Sequence, residues 1–166
     1  MALASGETNY MAPASARQMA SDLALLPMWY AEAGSAVLAP SAYNADFLKT
    51  KSELLGMDVA LLTEPEVADG KDRKFSPWGW DPALRKRLMT LGADQTELPS
   101  ADYMNILREH SHRLQAVKLL PGLRLNEYFC GESFYLNTLA ECSAFVEGRE
   151  VCLLKAPLSG SGKGLN

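Results

Sequence analysis

At 166 residues, with 48% apolar and 22% charged side chains, the chain can bury one sizeable core, or one domain plus part of another. A formal charge of −4 argues against nucleic acid as the partner, because phosphate neutralisation needs a clustered basic surface. No apolar run approaches the ~20 residues of a bilayer span, the opening MALASGETNYMAPASAR has no basic leader, and Cys130, Cys142 and Cys152 lack C-x-x-C spacing, so no membrane, disulfide framework or zinc site is expected and a reducing cytoplasm fits best.

The predicted elements begin at Pro13, where Ala16, Met19, Ala20, Leu23 and Leu26 recur at helical spacing until Pro27 closes the helix. GSAVLAPS (Gly34 to Ser41) is a short apolar run between turn formers and predicts a buried strand. NADFLKTKSELLG follows as a helix with Asn44 as candidate cap and Gly56 as stop, and MDVALLTEP (Met57 to Pro65) repeats the strand signal. EVADGKDRKF has mixed charge and little periodicity, which predicts a loop into a short strand at KFSPWGW. Asp81-Pro82 then opens a helix, ALRKRLMTLG, ending at Gly92.

This alternation of strands and helices is that of a parallel α/β sheet. It stops near Pro99-Ser100 or Pro121-Gly122. Beyond it the spacing predicts a helix from Ser100 to about Leu120, a second in CGESFYLNTLAECSAFVEG, and a strand in REVCLLKAP. The expected domains are therefore residues 1–99 and 100–166.

The run SGSGKG, Ser159 to Gly164, places three glycines, two hydroxyls and one cation in six residues. Glycine lets backbone N–H groups approach a phosphate closely, so the chemistry suits a triphosphate. A P-loop would need glycine in place of Pro157 and a magnesium-binding hydroxyl in place of Gly164, and the sequence has neither. The same composition also describes a flexible linker or tail.

LLKAPLSGSGKGL resembles the signature of the ATP-grasp superfamily: a strand lysine, Lys155, ahead of a mobile glycine-rich loop, Ser159, Gly160, Ser161, Gly162, Lys163 and Gly164. SPWGWDPALRKRL, LPS, LREHSHRLQAV and FCGES extend the resemblance to an ATP-grasp-like family in which a Rossmann-like pre-ATP-grasp α/β domain precedes the nucleotide-binding domain. The resemblance implies an ATP- and Mg2+-dependent carboxylate-amine ligase acting through an acylphosphate. Lys155 would contact the nucleotide and the loop amides would cover its phosphates. Arg113 is the first candidate for a further nucleotide-binding cation and Lys118 the second. Magnesium ligands are expected further along than Asn166, so these residues alone are not expected to catalyse.

Trp78, Gly79, Trp80 and Asp81, at the end of the predicted short strand, could line an acceptor-substrate pocket. Equally, both rings could plug the sheet edge while Asp81 caps the helix. Arg17, with Glu7, Asn9 and Tyr10 near the first helix, could hold a substrate carboxylate, or could belong to an ordinary capped loop. His110 and His112, the only histidines, are spaced wrongly for a shared metal on one helix. Expected partners are a nucleotide and a small-molecule or peptide carboxylate, with a homodimer allowed. The alternative is a non-catalytic α/β ligand-binding or interaction module whose Gly/Ser/Lys run is only a tail.

Overall fold

The computed structural model of the chain describes residues 2–69, 73–126, 128 and 132–159. The fold is mixed α/β and divides into two compact units, one chiefly of residues 6–100 and the other of residues from 101 onward with Leu3–Ser5. A four-residue helix, α1 (Ala2–Ser5), opens the chain.

In the first unit, α2 (Ala14–Asp22) ends earlier than the apolar spacing predicts. Pro27 has no N–H to give to residue 23, so the chain leaves the α pitch and tightens. Ala24 N–H donates to Ser21 O and Leu26 N–H to Leu23 O, leading into a 3-10 turn at Leu26–Trp29. That turn carries Met28 into the core.

Two apolar runs form the sheet, β1 (Ser35–Leu38) and β2 (Val59–Leu62), paired in parallel with Ser35 opposite Val59 and Leu38 opposite Leu62. A parallel pair needs a crossover, supplied by α3 (Ala45–Leu55), which packs against β2. A 3-10 turn at Ala42–Asn44 leads into α3, capped by the Ser41 hydroxyl, which accepts from the Tyr43 N–H at 3.4 Å; the predicted cap of α3 itself, the Asn44 side chain, makes no capping bond. Gly56 ends it at φ 65°, a left-handed position that favours glycine. Met28, Val37, Leu48 and Val59 form the buried cluster, with Leu25, Ala31, Met57 and Leu61 packed against it.

The predicted loop after β2 starts as a helix, α4 (Glu64–Ala68). Its signal lay in TEPE: the Thr63 hydroxyl and N–H both donate to Glu66 Oε2, at 2.6 and 2.7 Å. These bonds hold the Glu66 carboxyl below the ordinary glutamate range, the hydroxyl contributing most.

The predicted strand at KFSPWGW is a correction: Arg73 to Trp80 run as irregular chain and bends, and β1 and β2 are the strands of the sheet among the described residues. Pro77 has no N–H for a ladder and Gly79 has no side chain to pack, so the segment cannot easily extend the sheet. The next helix, α5 (Pro82–Thr90), begins as predicted, with Asp81 Oδ1 accepting from the N–H groups of Ala83 and Leu84, both at 2.9 Å. Arg87 pairs with Glu64, and Arg85 Nε donates to Pro99 O at 2.7 Å.

In the second unit the single long helix predicted from Ser100 is two: α6 (Ala101–His110) and α7 (Leu114–Leu123). The break falls at Ser111 to Arg113, and Pro121 lies inside α7. The helix predicted through CGESFYLNTLAECSAFVEG is confined to α8 (Leu139–Glu147), where Thr138 Oγ1 accepts from the Glu141 N–H at 3.1 Å and Glu141 Oε2 accepts in return from the Thr138 N–H at 3.2 Å. Arg149 follows, its guanidinium 3.5 Å from the Phe145 ring centroid. REVCLLKAP is not a strand; a single bridging residue, Lys155, is all that remains of that prediction.

Candidate functional site

The break between α6 and α7 has a local and a distant cause. Locally, Arg108 to Arg113 are six polar residues in a row with no apolar side chain to bury, and the Ser111 hydroxyl donates back to Leu107 O at 2.8 Å beside the helical bond from its own N–H to the same carbonyl. His112 Nδ1 accepts from the Leu114 N–H at 3.0 Å, satisfying one of the free donors at the start of α7. The imidazole also meets the Tyr135 ring edge to face, centroids 5.6 Å apart. The distant cause is that the Arg113 N–H, which an unbroken helix would direct to Glu109 O, donates instead to Pro157 O at 3.0 Å.

Arg113 then grips the same segment with its side chain. Nε donates to Ala156 O at 3.1 Å, and Nη2 to Ser159 O at 2.8 Å with a longer contact of 3.5 Å to Ser159 Oγ. The Ser159 hydroxyl donates to Ala156 O at 2.9 Å and closes the turn. Guanidinium presents its donors in a rigid planar fork, so these bonds fix both position and orientation of residues 156–159.

Arg113 and Ser159, both half-buried, are thus brought together. Lys155 is the residue immediately before Ala156; it is exposed, and its ammonium pairs with no described residue. Lys118 is exposed on α7. Gly160, Ser161, Gly162, Lys163 and Gly164 lie outside the described residues. That His112 Nδ1 would accept from the first turn of α7 has no signature in the sequence.

The proposed acceptor residues lie in the other unit. With no strand at KFSPWGW, the argument from a strand's carboxyl end does not apply to Trp78, Gly79, Trp80 or Asp81. Trp78 is 88% exposed, its ring edge to face with Tyr30 at 6.4 Å, and the space around Gly79 is open. The Asp81 carboxylate is engaged as the α5 cap. Arg17, in α2, has Nη1 donating to Ala12 O at 2.7 Å just ahead of the helix, and Asn9 Oδ1 accepts from Lys86 Nζ of α5 at 2.5 Å, so both side chains are engaged within the first unit.

The first unit also has an open cavity of about 390 Å³ between α3 and β2, floored by Leu48, Met57 and Val59. Ser52 borders it, its hydroxyl buried and without a hydrogen-bond partner among the described residues. Among the described residues, no group of three or more His, Cys, Asp or Glu side chains is placed to hold a metal ion, and no helix is long and apolar enough to cross a membrane. Compared with known proteins, the chain matches no family model, no curated protein and no solved structure.

Proposed function

We propose that the chain forms part of a nucleotide site, in which the Lys155 ammonium and the glycine-rich run from Ser159 to Gly164 bind the phosphates of ATP. The observation that carries this reading is the Arg113 fork on Ala156 and Ser159. It sets the turn between Lys155 and the first glycine, so an unpaired cation and a hydroxyl enter the run from a defined place. Preorganised donors bind a phosphate at lower ordering cost than a free tail would.

On this reading the reaction is carboxylate activation. A carboxylate oxygen attacks the γ-phosphorus and ADP leaves; an amine then attacks the acyl carbon and phosphate leaves. The chain's own part is to bind and orient phosphate. Lys155 supplies charge, while the Ser159 hydroxyl, donating to Ala156 O, keeps the base of the run in place. Mg2+ would neutralise phosphate charge during transfer, and no described residue is assigned to hold it.

The test is calorimetric titration of the full-length protein with ATP and Mg2+, beside Lys155→Ala combined with Lys163→Ala. The double variant is expected to lose at least ~10-fold in affinity, the order of one charge-assisted bond per lysine, while keeping its fold. Unchanged affinity in a folded double variant sinks the assignment.

A second reading, a non-catalytic interaction module, is favoured by a different observation. The second unit leaves large apolar side chains in water: Leu125 and Leu139 are each 84% exposed and Val151 is 89%. Such surface favours association. It predicts no ATP binding and a concentration-dependent mass by ultracentrifugation.

A further inference from the structure

The ATP-grasp resemblance implies a cation at Arg113 that meets the nucleotide. The geometry points to a different role: we infer that Arg113 is a positioning residue, whose planar fork holds the turn of residues 156–159 that precedes the glycine run, and which acts on any ligand only through that turn. The consequence for ligand rests on the nucleotide reading above; the grip on the turn does not.

Three features carry the inference. The Arg113 donors that bond described residues go to carbonyl and hydroxyl oxygens of one short segment, forty-three to forty-six positions away in sequence. Such long-range bonds from a half-buried guanidinium are not incidental surface contacts. The arginine also sits at the helix break, where its own N–H bonds Pro157 O. Backbone and side chain of one residue therefore hold three carbonyls of one turn: Ala156, Pro157 and Ser159. Finally, the Ser159 hydroxyl takes part in the same network by donating to Ala156 O.

The fork makes the inference testable against a charge role, because lysine keeps the charge and loses the bidentate geometry. Arg113→Lys and Arg113→Ala, made in the full-length protein, leave the Arg113 N–H bond to Pro157 in place, so they report the side chain alone. The first readout is amide hydrogen exchange of the peptide spanning residues 154–159 without nucleotide. Both variants are expected to exchange about tenfold faster or more there, the size of losing one or two bonds from a charged donor, with the first unit unaffected.

The second readout is ATP-Mg2+ affinity. If Arg113 positions the turn, Arg113→Lys loses as much affinity as Arg113→Ala. Wild-type affinity in Arg113→Lys with loss in Arg113→Ala would overturn the inference in favour of direct charge contact. Exchange unchanged in both variants would overturn it outright. Should Arg113→Ala unfold the second unit, Arg113→Lys, the milder change, decides by itself: faster exchange at residues 154–159 supports the inference and unchanged exchange overturns it. A wild-type protein that binds no ATP defeats the nucleotide reading alone, because the exchange result stands without any ligand.

Discussion

Replacing Asp81 tests its role as the cap of α5. One oxygen, Oδ1, accepts from two N–H groups, those of Ala83 and Leu84, each at 2.9 Å, and the residue is half-buried. Asp81→Ala removes both bonds at once. Water can reach a half-buried helix end and take over part of that bonding, and Pro82 at the first helical position keeps the turn preorganised. The expected loss is therefore about 1 kcal/mol, the middle of the range for N-cap removal, rather than the larger cost of two buried orphan donors.

For a unit of this size such a loss lowers the midpoint of thermal unfolding by roughly 4–8 °C. Asp81→Asn keeps an acceptor oxygen in place and discards the charge, so it should cost only a few tenths of a kcal/mol, since asparagine caps about as well as aspartate. The assay is urea and thermal unfolding of the wild type and both variants, followed by circular dichroism. The capping account fails if Asp81→Ala leaves stability unchanged, or if Asp81→Asn destabilises as much as alanine does.

Two further outcomes are expected. Leu48 is 3% exposed in the cluster with Met28, Val37 and Val59, so Leu48→Ala should destabilise the first unit by ~2–5 kcal/mol, read as a lower urea midpoint; a change below ~1 kcal/mol would mean that this cluster is not the core. Glu66 and Asp94 should both titrate below their ordinary ranges in a carbon-detected NMR titration. For Glu66 the Thr63 hydroxyl and then its N–H stabilise the charged form; for Asp94 the Thr96 N–H and then its hydroxyl do so. Because the folded pKa lies below the unfolded one, their contribution is full at neutral pH and is lost as pH falls through the carboxylate range, and Glu66→Gln should remove the first of these acid transitions.

Local chemistry was legible wherever the signal and its consequence lay within a few residues. β1 and β2 follow from short apolar runs between turn formers, the end of α3 from Gly56, and the start of α5 from Asp81-Pro82, because strand burial, left-handed backbone and capping are set by the residues themselves. The Thr63 to Glu66 capping signal was equally local and would have found α4.

What the sequence could not decide were the features that depend on a distant partner. REVCLLKAP has strand-forming side chains but keeps only the single bridging residue Lys155, whereas the failure of KFSPWGW was local, set by Pro77 and Gly79. The helix predicted from Ser100 loses its apolar spacing over Arg108 to Arg113, six polar residues in a row, and divides there; that the Arg113 N–H bonds Pro157 O in place of Glu109 O was set by a segment far away in the chain. The same arginine was singled out only by the family resemblance, as a candidate nucleotide-binding cation. That its fork grips Ala156 and Ser159 was decided only when the chain returned to it, since a hydrogen bond over forty-three residues leaves no periodicity in either segment.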